Sequence, residues 1–406
     1  MRYKIVGEIF EVVTDYVANG SFKSLKDNVN YVENGYAALI RLVDYRNNFK
    51  NSLQYIDKKS YDFLSKTKLY GGEIVISNVG ANAGTIFRVP KLGIPMSLGP
   101  NTITINTSEK ITNDYYYYYF QSHNGQNLIH SIISGSAQPK FNKTDFKNLS
   151  VPYPSIKEQK ETVDILNALD KKIELNSKIN TNLLRQIKLI SNSYFSYFEV
   201  FDGKIPTNWK YFKLTDIANL GTGYSYSSKD LQKNNNMAMA TIKNFNRNFG
   251  FDSRGYKEII PIKPIKKEKY ANLFDILVAH TDLTQNADII GNAEPVLNTG
   301  NYEQIIYSMD LVKVTPKDNK ISPFLLSLIL QGDMFKSHCM KYINGTTVLH
   351  LSKQALKDFE LPLPKNISDL NELDEFATKA YKTLSNNIIE NTVLEKIKST
   401  LLNTLF

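Results

Sequence analysis

The chain repeats itself, and the repeat limits what it can fold into. Displaced by 210 residues, residues 115–154 fall on residues 325–364 without a gap. The displacement aligns Gln121 with Gln331, Ile133 with Ile343 and Gly135 with Gly345, then Lys143 with Lys353 and Lys147 with Lys357. Pro152 and Pro154 fall on Pro362 and Pro364. In each copy an apolar, helix-like stretch leads into a glycine–hydroxyl loop, Ser134-Gly135-Ser136 or Asn344-Gly345-Thr346. Asn142 or Ser352 follows, a residue suited to cap the free N–H groups of the short lysine-rich helix after it. The Pro-x-Pro dipeptide then ends the helix, since proline cannot continue one. A chain built this way has two related halves rather than one core, as its 406 residues also suggest.

Each copy continues into a long helical segment. Ser155-Ile156-Lys157-Glu158 reads as a capping box, and no Pro or Gly interrupts the chain from there to about Tyr197. Ile173, Asn176, Asn180, Leu183, Ile187, Ile190 and Tyr194 alternate at spacings of three and four, a heptad seam. At about 1.5 Å per residue the helix runs about 60 Å and must lie against something. A second uninterrupted stretch, from about Ile367 to Leu402, supplies the partner. There Asn387, Asn391 and Leu394 repeat Asn176, Asn180 and Leu183. Asparagines on a seam cost stability and fix register. The expected fold is α+β: two mixed α/β domains, 1–154 and 201–364, alternating with two long antiparallel coiled-coil helices, 155–200 and 365–406. Residues 73–76 and 275–278 read as matching short strands with acidic starts, and residues 102–105 and 311–314 alternate as strands. The tyrosine run 115–119 invites a base-stacking reading. Its register on the aliphatic residues 325–329 favours packing in the core.

A net charge of +9 speaks of partners, and nucleic acid is the commonest for a large basic protein. The single cysteine, Cys339, excludes an internal disulfide and a cysteine zinc site, and its apolar neighbours make it a buried small hydrophobe. No segment has the length for a bilayer span, and Met1-Arg2-Tyr3-Lys4 begins no signal-peptide core, so no membrane association and a cytoplasmic location are expected. Catalytic signatures are missing. There is no Pro-Pro dipeptide of the kind that holds a target amine in amino-methyltransferases. Gly221-Thr222-Gly223 is a lone Gly-x-Gly, and Gly203-Lys204 is followed by Ile205 where a phosphate loop needs a hydroxyl. The five histidines are scattered.

Pro152-x-Pro154-x-x-x-Glu158-Gln159, then Ile165-Leu166, Leu169-Asp170, Ile173 and Asn176-x-x-x-Asn180, resembles the central conserved region of type I restriction-modification specificity subunits. Ile205-Pro206-x-x-Trp209-Lys210 resembles the opening of the second target-recognition domain in that family. Asp275-Ile276-Leu277-Val278 and Gly72-Glu73-Ile74-Val75 resemble a strand found in both such domains. The second copy departs from the pattern, having no Glu-Gln pair after Pro364. The resemblance implies a non-catalytic subunit of a DNA adenine methyltransferase and restriction endonuclease complex. Its two domains would each read one half of a split, asymmetric site in double-stranded DNA. The helices would set the unread gap and dock two methyltransferase subunits, with motor-nuclease subunits completing the enzyme. No cofactor would belong to this chain; S-adenosylmethionine and ATP with magnesium would belong to the partners.

Base reading needs bidentate amides or cations, whereas lysines, hydroxyls and backbone N–H groups hold phosphates. In the first domain the candidates for DNA contact are Ser21, Lys23 and Ser24, then Asn78 and Asn82, then Ser136, Gln138, Lys140 and Lys143. In the second they are Tyr224 and Tyr226, Lys243, Asn244, Arg247 and Arg254, His280 and Thr281, and Thr346, Thr347 and His350. Helix pairing falls to Asn176, Asn180, Leu183, Ile187, Asn387, Asn391 and Leu394. The glycine–hydroxyl loops recur between unlike domains and suit the sequence-independent DNA backbone. Two other readings stay open: a stand-alone DNA methyltransferase, and a protein-interaction scaffold that binds no DNA.

Overall fold

A computed structural model describes residues 2–49, 53–233, 236–247, 249–317 and 321–406. Residues 1–171 with 394–406 form one compact unit, and residues 172–393 form the other. Both long helices therefore contribute to both units.

In the first unit a four-stranded antiparallel sheet runs Val12–Asp15, Thr102–Asn106, Ile74–Ser77, Ile86–Arg88. In the second, Ala218–Thr222, Leu311–Pro316, Ile276–Ala279 and Ala293–Pro295 take the same order and sense. A smaller sheet also recurs. Ala37–Ile40 lies parallel to Met96–Leu98 and antiparallel to Gln54–Ile56; Met237–Ala240 lies parallel to Gln304–Tyr307 and antiparallel to Lys257–Glu258. The central strands bury a continuous apolar run, Ile74, Val75 and Ile76 in one unit and Ile276, Leu277 and Val278 in the other, all fully buried. Their acidic starts hold the preceding turns: Glu73 accepts from the N–H groups of Tyr70 and Gly71 at 2.7 and 2.8 Å, and Asp275 from that of Asn272 at 2.8 Å.

The Pro-x-Pro dipeptides do more than end a helix. Pro152 lies in the strand Ser150–Pro152, paired with Tyr3–Ile5, and Pro362 and Pro364 lie in Glu360–Pro364, paired with Trp209–Lys213. Proline fits these two-stranded ribbons because each strand has a free edge that needs no N–H donor. The tyrosine run forms the helix Lys110–Tyr119 and is core: Tyr116 and Tyr118 are fully buried, and the Tyr116 hydroxyl donates to Pro152 O at 2.8 Å.

Ser155 and Glu158 close the capping box at the head of the first long helix, Ile156–Ser191. The helix ends at Ser191, short of Tyr197, in a π turn over Asn192–Ser196. Side chains of that turn serve another helix: Asn192 Oδ1 accepts from Asp333 N at 2.7 Å and Ser196 Oγ from Met334 N at 2.9 Å, capping Asp333–Met340. The second long helix, Asn371–Leu405, follows a 3₁₀ turn capped by Asn366.

Within the second unit the two long helices are antiparallel. The Asn176 amide donates to Glu390 Oε2 and Asn391 Oδ1 at 2.7 and 2.9 Å, and Asn387 donates to Asn180 Oδ1 at 2.8 Å. Ile187 is fully buried and Leu183 partly so, both against the large core of that unit, while Leu394 is half-buried. In the first unit, Lys398 pairs with Asp170 at 2.6 Å, and the Tyr118 hydroxyl lies 2.8 Å from the same carboxylate.

Candidate nucleic-acid interface

Each central strand delivers its last residues to a glycine hairpin. After Ile74–Ser77, Asn78 receives an N–H bond from Phe141 at 3.1 Å, and its side-chain amide donates to Phe141 O at 3.2 Å. Lys140 is bridged to both Val79 and Ser134. After Ile276–Ala279, His280 O accepts from Leu351 N at 2.8 Å, and His350 pairs with both Thr281 and Asn344. Ser134 and Lys140 thus occupy the hairpin positions that Asn344 and His350 occupy in the second unit. Gly135 and Gly345 turn both hairpins at φ of 89° and 107°. A Cβ at Gly345 would sit 2.3 Å from Val348 O, so the tight turn needs glycine.

The hairpins present exposed polar groups: Ser136, Gln138 and Lys140 in one unit, and Thr346, Thr347 and His350 in the other. Neighbouring loops are pinned by residues that sequence reasoning did not single out. Gln126 donates to Gly84 O at 3.0 Å and so fixes the loop carrying Asn82. Its counterpart under the 210-residue shift is Lys336, whose Nζ reaches Ala287 O, Asp288 O and Ile290 O at 2.5–3.1 Å. Burial lowers the Lys336 pKa to about 8. Nothing in composition marks these two; only their alignment could have.

In the first unit the hairpin borders a cavity of about 970 Å³ lined by Tyr16, Phe22, Tyr31, Asn101 and Lys140 among others. Phe22 is 84% exposed. Ser21 caps the helix Phe22–Asn28 by accepting from Ser24 N; Lys23 is exposed and Ser24 partly buried. Asn101, left-handed at φ 64°, was also missed, although Gly99-Pro100-Asn101 is a readable turn signal.

Several candidates do not face solvent, or are already engaged. Asn244 is fully buried: its amide oxygen accepts from Thr241 N and its NH₂ donates to Asp252 O, closing a 3₁₀ turn. Tyr224 is buried with its hydroxyl on Asp230 Oδ1 at 2.9 Å. Thr281 and His280 are buried where the sheet enters the hairpin, and burial, then Lys353 and His350, push the His280 pKa down. Lys143 is paired with Asp15 at 3.1 Å. Asn82 accepts from Arg46 at 2.8 Å. Arg254 is exposed and bound to Asp252 at 2.7 Å, and Tyr226 lies partly buried beneath Lys257. Lys243 and Arg247 are exposed, the latter 3.8 Å from Asp288. Cys339 is buried, its thiol pushed up to about 12. Among the described residues no group of three or more His, Cys, Asp or Glu is placed to hold a metal, and no helix is long and apolar enough to cross a membrane.

The family model for the type I restriction modification DNA specificity domain matches twice, over residues 2–185 and 206–399. The chain belongs to this family. The two matches follow the repeat seen in the sheets. Among similar proteins, the type I restriction enzyme MjaVIII specificity subunit of Methanocaldococcus jannaschii is 26% identical over 80% of this chain and 76% of its own length. The MjaIX specificity subunit of the same organism is 22% identical over 77% and 72%. The crystal structure of a type I restriction-modification S subunit from M. genitalium shares the fold, with a TM-score of 0.56 and 16% identity over 100% of this chain and 96% of that one. The family's two-domain layout with long coiled-coil helices is thus the layout of this chain.

Proposed function

We propose that this chain is the DNA sequence-specificity subunit of a type I restriction-modification enzyme, without catalytic groups of its own. The observation that carries the reading is the pairing of like scaffolds with unlike side chains. The same sheet order delivers the same glycine hairpin twice, yet the exposed Gln138 stands where the half-buried Val348 does. Two heads of one construction and different chemistry suit an asymmetric site, whereas identical heads would favour a palindrome.

The long helices are proposed to dock two methyltransferase subunits, which would supply S-adenosylmethionine chemistry, with motor-nuclease subunits using ATP and magnesium. Lys172 and Glu390 pair at 3.1 Å along one flank of the helix seam. Leu175 and Ile179 on that face of the first helix and Val393 on that of the second stay 44–50% exposed. Helical spacing places them on one side, and exposed apolar groups in a row favour a partner helix.

Mapping methylated adenines in a host carrying this chain with its methyltransferase partners tests the reading. The expected result is one split, asymmetric motif. A palindromic motif, or unchanged methylation when the chain is deleted, would overturn it.

A further inference from the structure

Both units carry exposed lysines at the same place in the repeat, and the first segment of each shares the pattern Ser-x-Lys-x-Leu, at residues 21–25 and 227–231. In the second unit, residues 227–233 follow the first strand of the large sheet, and residues 259–269 follow Lys257–Glu258 of the small one. Asp230 binds the two segments together: its backbone O accepts from Ile260 N at 2.9 Å and its Oδ1 from Ile262 N at 3.0 Å. Its carboxylate also accepts from Ser227 and Tyr224, so its own charge is spent inside the loop and its pKa is driven far down, first by the Ile262 N–H. Lys229, Lys233, Lys263, Lys266 and Lys267 are exposed, and among the described residues none forms an ion pair.

The first unit solves the same position with helices. Phe22–Asn28 follows the first strand of the large sheet, and Lys58–Phe63 follows Gln54–Ile56 of the small one. Asn30 ties them, its N–H donating to Ser60 Oγ at 2.9 Å and its amide to Asp57 at 3.2 Å. Lys23, Lys26, Lys59 and Lys66 are exposed and, among the described residues, without an ion pair. Exposed lysines can simply keep a surface soluble. A solubilising role does not call for the same site in each repeat, nor for buried side chains spent on clamping the two segments together.

We infer that this lysine rim is a second DNA-contact surface of each domain, gripping duplex phosphates independently of sequence. The inference rests on the proposed function. Phosphates are the only feature of DNA that mobile ammonium groups recognise without a fixed geometry.

The test uses the full chain assembled with its methyltransferase partners. Lys263→Gln, Lys266→Gln and Lys267→Gln are combined, with the corresponding arginine triple as control. Binding to a duplex bearing the mapped motif, and to a random duplex, is measured between about 50 and 200 mM salt. The glutamine triple is expected to lower the slope of log K against log salt by roughly two to three, since each lost phosphate contact removes about 0.9. Both duplexes should weaken alike, the methylated motif should not change, and the arginine triple should keep the wild-type slope. An unchanged slope in the glutamine triple overturns the rim while leaving the function standing, as does an altered motif. A wild-type complex that binds DNA without salt dependence would remove both.

Discussion

Lys140 and Lys143 lie three residues apart, and only their partners separate their roles. Lys143 is neutralised by Asp15, whereas Lys140 stands exposed on the hairpin with no ion pair among the described residues. Lys140→Gln is therefore expected to lower the salt slope of DNA binding by about one with the recognised motif unchanged. Lys143→Gln should leave that slope nearly alone; a larger effect from Lys143 would reverse the assignment. Glu294 is a different case, a carboxyl that is 1% exposed and pushed up to about 7 by burial, against the hydrogen bonds from Gly250 and Gln331. The folded state holds its proton between about 4.5, the ordinary value, and about 7. Stability from this group is complete below about pH 4.5 and is lost as pH rises through about 7, a change of about 3 kcal/mol. Urea unfolding between pH 5 and 8 should show this decline in the wild type and a flatter profile in Glu294→Gln. Equal slopes in the two would show that Glu294 does not titrate in this range.

Along the helices the informative residues are the asparagines. The buried amide of Asn176 and the half-buried ones of Asn180, Asn387 and Asn391 are tolerated on an apolar seam because each finds its partner across the pair, Asn387 on Asn180 and Asn176 on Asn391. A one-turn slip would leave them unsatisfied, which fixes the register. Adding seven residues within 173–194, matched by seven at the facing turn of the second helix, keeps the seam in phase. It should lengthen the unread gap of the methylated motif by about 10 Å, or about three base pairs, with both half-sites intact. A constant gap would show that the helices do not set it. The seam was readable because heptad spacing is a one-dimensional property. The end of the first helix was not, because Asn192 and Ser196 leave it to cap a helix about 140 residues later in the chain.

For the whole chain, the decisive contrast is between binding and chemistry. Incubated alone with labelled S-adenosylmethionine, it is expected to transfer no methyl group to DNA, whereas DNA binding should fall steeply with salt. Methyl transfer by the isolated chain would favour the stand-alone methyltransferase, and binding indifferent to salt would favour a scaffold that ignores DNA.

The internal repeat, the Asn-marked seam and the glycine hairpins were all legible in the order of residues, because periodicity, capping and positive φ are local demands that particular side chains must meet. Which polar groups face outward was decided by packing. Asn244 and Lys243 are neighbours, yet one closes a turn in the interior while the other stands in solvent. The lysine rim likewise joins segments about 30 residues apart that only the fold brings together, because a sheet sets charges side by side according to strand order and not according to distance along the chain.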